Sequence, residues 1–427
     1  MLDRTVLPEV FDFAALNLPD IGSKTLNNGV KLNIINRGEE EVCKIVLVWH
    51  GGKFDVDNAT ALEIMTKMFF SGTENLSSDE ITEIFDYYGS RIKVSCDAHF
   101  TTMTITVLNR TLAELLPVVK QIISYSSFPE NEFDNQLKKF IANKSIEEQT
   151  VQFQSKKLCN KLLYGENHPA YASIHNIDKI KQLKLAEVID CFNTVIRFAK
   201  PEIFIAGRIT DEVLSIIIST FENSDFFDKK IKHSIIPFPS KTGIKSEHLS
   251  MQEQVQSSMD ILIPTIDCHH PDYISLKIAI IALGGYFGSK LNKVIREEKG
   301  LTYGIHSHIY SSLEGCAIHI NSQFDGKTAE DVTKETMSQI QKMKEEKISP
   351  DELTSVKKFY MSILANTSED LFASLDYYIS CYKNSIPKSF FGSTISELQK
   401  ITADDIHQIA QKYFDLSNIK IAIAGNV

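Results

Sequence analysis

Between residues 91 and 108 apolar side chains recur at every second position. Met103, Ile105 and Val107 alternate with threonines, which predicts an antiparallel strand pair with one buried face. Two further runs, EIFIAGRI from Glu202 and KIAIAGNV from Lys420, read as strands that alternate into an Ala-Gly stop. Each is preceded by a stretch of helical periodicity, IKQLKLAEVIDCFNTVI from Ile180 and ISELQKITADDIHQIAQKYF from Ile395. Further upstream, FPENEFDNQLKKFIANKS and ISPDELTSVKKFYMSIL place Pro129 and Pro350 at helix starts. Acids follow in the first turn, where the positive end of the helix dipole favours them.

These three pairs come in the same order at nearly one spacing. Gly207 and Gly425 are 218 residues apart and the two prolines 221. The pattern predicts a duplication. Each half reads as strands followed by several helices, so the expected class is α+β: two homologous repeats, each a mostly antiparallel sheet packed with helices. The repeats are placed at 1–225 and 258–427. Residues 226–257, which hold Pro237, Pro239 and a lysine-, serine- and glutamine-rich stretch of weak periodicity, are read as the linker.

A chain of 427 residues is long enough for about two to four domains. With 43% hydrophobic and 23% charged residues it belongs with ordinary globular proteins rather than disordered or disulfide-scaffold chains. The net charge of −10, with no local cluster of basic residues, argues against nucleic acid and anionic lipid as partners. Seven scattered cysteines without a C-x-x-C pair suit the reduced thiols of a cytosol. The first twenty residues carry acids and prolines where a secretory signal needs a cationic start and an apolar run. The longest apolar and glycine run, 278–287, is half the ~20 residues of a membrane-spanning helix. A soluble, cytoplasmic protein is expected.

Candidate chemistry is sparse. Neither H-x-x-E-H nor H-E-x-x-H occurs. His269 and His270 precede Pro271 and read as a loop or cap pair. His306 and His308 share one face if YGIHSHIYSS is extended, either as ordinary strand histidines or as part of a metal site. His50, beside the single tryptophan Trp49, reads as structural, and Ser289 lacks the G-x-S-x-G context of a nucleophile.

Several segments together resemble one half-molecule of the pitrilysin/insulinase family, zinc peptidases with the inverted H-x-x-E-H motif. TLNNGVKLNII, from Thr25, resembles the family's opening L-x-N-G strand. ALEIMTKMFFSGT, from Ala61, resembles the helix written H-x-x-E-H-M-x-F-x-G-T, with Met68, Phe70, Gly72 and Thr73 fixing the register. Counted from that tail, the two histidine positions fall on Glu63 and Lys67 and the general base on Thr66. The family's third ligand, a glutamate in a later helix, falls on Asn143. An ammonium repels a metal, a neutral amide is a poor zinc ligand, and a threonine hydroxyl is no base near neutral pH. The most specific match is LGGYFGSKLNKVIREEKGLTYGIHS, from Leu283, which resembles the family's carboxy-terminal G-G-x-F-x-S-[RK]-L and R-E-x-x-G-L-x-Y. It puts the family's substrate-binding arginine and tyrosine on Arg296 and Tyr303.

The resemblance implies a half-clamshell fold and no zinc bound by this chain. It further implies a homologous partner subunit that carries H-x-x-E-H and the zinc, with Arg296 and Tyr303 reaching peptide substrates in that partner's chamber. A guanidinium and a phenol beside one carbonyl make an oxyanion-type pair. The other reading is an inactive structural or peptide-binding homodimer or scaffold.

Overall fold

In the computed structural model, residues 16–172, 177–224, 231–237 and 243–426 are described. The amino-terminal stretch read for a leader falls largely outside them, as do Pro239 and Val427. Two sheets organise the chain. The first contains β1 (Gly22–Thr25), β2 (Lys31–Asn36), β3 (Val42–His50), β4 (Arg91–Cys96), β5 (Phe100–Leu108) and β6 (Glu202–Gly207), in the order β1-β2-β6-β3-β5-β4. The second contains β7 (Lys245–Ser250), β8 (Gln256–Thr265), β9 (Thr302–Ser312), β10 (Gly315–Asp325) and β11 (Lys420–Gly425), in the order β7-β11-β8-β10-β9. Leaving out β1, the two orders are the same: first strand, last, second, fourth, third. In both sheets the first and last strands pair in parallel and the other neighbours antiparallel. The duplicated sequence has folded into a duplicated topology.

The segment expected as a linker is shorter than 226–257. Within it β7 pairs in parallel with β11, so the second half begins at about residue 243. All six residues of β7, KSEHLS, are exposed, which removes the apolar alternation that would mark a strand.

Central strands are buried on both faces, and the two faces are covered from different sources. On β3, Cys43, Ile45, Leu47 and Trp49 meet helices of their own half. Val46 and Val48 point the other way, with Ile35, Phe204 and Ala206, onto Leu375, Tyr378 and Ile379 of the helix Leu371–Lys383, which belongs to the second half. The second sheet mirrors this. Met259, Ile261 and Ile263 face their own helices, while Leu262, Ala317 and Ala422 receive Cys159 and Leu163 from the helix Val151–Tyr164 of the first half. The halves thus exchange a helix, and each buried aliphatic in the exchange contributes about 1.5–3 kcal/mol. Polar links run alongside: Lys44 Nζ to Asp376 at 2.7 Å, Lys383 Nζ to Asp97 at 2.9 Å, and Ser155 Oγ to Asp260 at 2.5 Å.

Candidate functional site

The helix Ala59–Met68 starts at Asn58, whose side-chain oxygen accepts from the N–H groups of Thr60 and Ala61. Its apolar residues Leu62, Ile64, Met65 and Met68 are buried. The tail that fixes the register builds a turn. Gly72 takes φ +135°, and Thr73 Oγ1 accepts from the N–H groups of Asn75 and Leu76 at 3.2 and 3.0 Å. This turn persists whatever the helix carries, so the motif's end survives while its chemistry does not.

The positions aligned with the zinc motif are otherwise engaged. Glu63 forms an ion pair with Lys53. Burial pulls the Lys53 ammonium down, yet the Glu63 carboxylate raises it overall. Thr66 Oγ1 donates to the Glu63 carbonyl at 2.8 Å, and Lys67 is exposed with its Nζ 6.0 Å from the centre of the Phe140 ring. Phe140 lies in the helix Glu130–Glu147, which packs against the motif helix as the resemblance requires. Asn143 on that helix is exposed. One carboxylate, held by an ammonium, beside a threonine, a lysine and an amide is not a donor set for zinc.

The second candidate segment is intact in shape. The glycine run from Leu283 leads into a π-helical turn, Asn292–Glu298. Gly284 is a glycine because a Cβ there would lie 2.7 Å from Ser307 Oγ and 3.0 Å from Ser307 N. The buried amide of Asn292 pins the segment to β9, donating to the carbonyls of Ile305 (2.8 Å) and Tyr286 (3.2 Å). Gly300, at φ +62°, turns the chain into β9. Arg296 pairs with neither Glu297 nor Glu298. Its guanidinium lies 4.3 Å from the ring centre of Phe287, itself 61% exposed. Tyr303 opens β9 and is 92% exposed.

Tyr303 borders a cleft of about 580 Å³ between the face of the second sheet and the exchanged helix Val151–Tyr164. Neither Arg296 nor any of Glu63, Thr66, Lys67 and Asn143 lines it. His306 and His308 do, on one face as the alternation predicts, together with Lys156, Tyr310 and Asn321. Below them runs a relay the sequence did not disclose. Asp260, buried in β8, meets His319 Nε2 at 2.6 Å, and His319 Nδ1 meets His308 Nε2 at 3.2 Å. Burial, and then His319, hold His308 below its ordinary pKa, so a neutral imidazole faces the cleft. No local motif marks this relay, because Asp260, His308 and His319 become neighbours only through the pairing of β8, β10 and β9.

The remaining candidates are structural. His270 Nδ1 accepts from the Asp272 N–H and the His269 N–H donates to Asp267, a loop arrangement. Ser289 is buried, its Oγ accepting from Asn292. All seven cysteines are unpaired. Among the described residues no helix is long and apolar enough to cross a membrane.

A duplicated sheet, each copy backed by its own helices, with the motif helix and its Gly72–Thr73 turn in the first copy, defines a metallopeptidase-type fold. Residues 36–165 match the domain described as Insulinase (Peptidase family M16), and residues 182–360 match the one described as Peptidase M16 inactive domain. The chain belongs to the peptidase M16 family, as a non-catalytic member. The Non-peptidase homolog YmxG of Helicobacter pylori is 19% identical over 380 residues, 88% of this chain and 87% of that protein. The Uncharacterized zinc protease YmxG of Bacillus subtilis is 22% identical over 293 residues, 68% and 70% of the two chains. Among solved structures, the peptidase M16 inactive domain from Pseudomonas fluorescens shares the fold with a TM-score of 0.86 at 18% identity, over 96% of this chain and 98% of that one.

Proposed function

We propose that this chain is the non-catalytic subunit of a heterodimeric zinc peptidase, pairing with a homologue that carries H-x-x-E-H and the zinc. One observation carries the reading: the motif helix has lost its donors, while Tyr303 stands 92% exposed on a cleft that its own half-site cannot use. A tyrosine this exposed buries little surface in its own fold, whereas facing a partner's metal it would donate to a developing oxyanion, with Arg296 as a second donor from the same segment. Peptides are the substrate class. β9 is an edge strand of its sheet and borders the cleft, so an extended peptide could add to it as a further strand.

The test is reconstitution. The purified chain, mixed with the H-x-x-E-H homologue from the same cell, should raise that homologue's chelator-sensitive cleavage of short peptides. Tyr303→Phe and Arg296→Ala should each lower kcat of the mixture by about 10²–10³ with assembly unchanged on size exclusion. Full activity in both variants refutes the reading. Failure to associate with any such homologue leaves the inactive homodimer or scaffold.

A further inference from the structure

Three side chains from three separate turns converge where the connecting segment meets both halves. Asp55 follows β3, His99 sits in the turn between β4 and β5, and His233 lies on the connecting segment. One donor atom of each lies within 4.8 Å of the other two. His99 Nδ1 is 3.1 and 3.2 Å from the two Asp55 oxygens, and His233 Nδ1 is 3.0 Å from Asp55 Oδ2. Those separations approach the edge of a tetrahedral donor set, about 3.3 Å for metal–donor bonds of about 2.0 Å.

The outer shell suits the same purpose. His99 Nε2 meets Glu314 Oε1 at 2.5 Å. His233 Nε2 meets His50 Nδ1 at 2.8 Å, and His50 Nε2 meets Tyr382 Oη at 2.9 Å. With both rings donating outward from Nε2, both Nδ1 lone pairs point inward at one place. The Asp55 carboxylate is steadied by the N–H groups of Gly52 and Ser234, at 3.1 and 3.0 Å. Outer partners of this kind fix the tautomer and aim of metal-bound imidazoles and carboxylates.

Charge supplies an independent argument. The side chains of Asp55 and Glu314 are 0% and 1% exposed, and among the described residues their ion pairs are with histidines alone. Glu314 Oε2 is buried and, among the described residues, accepts no hydrogen bond. The two buried carboxylates supply two negative charges, which one divalent cation would balance once it takes the place of the protons on the facing Nδ1 atoms of His99 and His233. A cleft of about 400 Å³, bordered by Asp55, Asp57, Glu187 and Asp190, gives a cation an acidic way in.

We propose that Asp55, His99 and His233 bind one zinc-class divalent cation that fastens the connecting segment to the first half, with Glu314 and His50 as positioning residues. Two imidazoles and a carboxylate are a nitrogen and oxygen set that zinc accepts. The site is separate from Glu63, Lys67 and Asn143 and stands or falls independently of the subunit reading above.

The full chain, stripped with chelator and dialysed against micromolar zinc, should retain about one zinc per chain by elemental analysis and melt at a higher temperature than the stripped form. His233→Ala should lose both effects, and His308→Ala, in the separate cleft, should keep both. Glu314→Gln should weaken binding about 10–100-fold while circular dichroism stays native. Cobalt in place of zinc should give a visible absorption band that His233→Ala abolishes. The proposal is overturned if stripped protein retains no zinc, if His233→Ala retains as much as the native chain, or if His308→Ala is the variant that loses it.

Discussion

Because each sheet is closed by a helix from the opposite half, damage to one core should unfold both. Leu398→Ala tests this. Leu398 is fully buried in the core of the second half, among Ile395, Ile401, Ile406 and the helices around them. Removing three carbons forfeits about 2.4 kcal/mol at about 0.8 kcal/mol each. The cavity left behind brings the loss to about 3–4 kcal/mol, inside the range measured for buried leucines. The reporter is Trp49, the single tryptophan, fully buried in β3 of the first half. Under urea its emission should shift to a lower midpoint by the whole of that loss divided by the slope of the same curve. Far-UV circular dichroism should move with it in one transition. If the Trp49 curve of Leu398→Ala overlays that of the native chain while circular dichroism splits into two steps, the halves unfold independently and the exchanged helices do not couple them.

Other expectations follow from local geometry. Gly207 and Gly425 end β6 and β11 at φ +150° and +143°, and a Cβ would lie 2.9 Å from Cys43 Cα and 2.7 Å from Ser257 Cβ respectively. Alanine at either should cost about 2–4 kcal/mol in denaturant unfolding, and a loss under about 1 kcal/mol would contradict the backbone argument. Asp260→Ala deprives Ser155, across the halves, and His319, within the same sheet, of an acceptor and should cost about 2–4 kcal/mol. In a double-mutant cycle, Ser155→Ala should then add less than it costs alone; strict additivity would count against the contact. Asp272 is held below its ordinary pKa first by Lys412 and then by Tyr413. A lowered carboxyl stabilises the fold above the unfolded value and loses that contribution as pH falls through the folded one. The stability gap between the native chain and Asp272→Asn should therefore close from about pH 5 downward. A gap constant from neutral to acid pH would show that the carboxylate contributes nothing.

Much of this architecture was legible because it is written locally. The alternation of Met103, Ile105 and Val107 gave the β4–β5 pair. The helix at Pro350 begins as expected, with Ser349 as its cap and Glu352 closing a capping box. The duplicated Ala-Gly endings became the equivalent strands β6 and β11. The helix Ala59–Met68 and the turn after it were legible because Asn58 caps the one and Gly72 and Thr73 build the other. What stayed hidden depends on residues brought together from afar. β7 has no apolar face to betray it. Lys420 sits at an interior strand position, fully buried, with its ammonium on the carbonyls of Asn418 and Gly243. The Asp260–His319–His308 relay and the Asp55–His99–His233 cluster each draw on three segments, and no sequence window contains either.

The traded helices also constrain the history of the chain. A half-length precursor folding by itself would have left one face of its sheet, the surface now carrying Val46, Val48 and Phe204 or Leu262, Ala317 and Ala422, open to water. It would have had to borrow the covering helix from a second copy of itself, as a swapped homodimer with a two-fold axis. Joining two such genes end to end converts an encounter between molecules into one within a molecule, at the high effective concentration a short tether supplies. Once joined, the copies were free to diverge. One could lose its metal donors, and the other could keep its cleft, without either losing the helix on which the other's sheet depends.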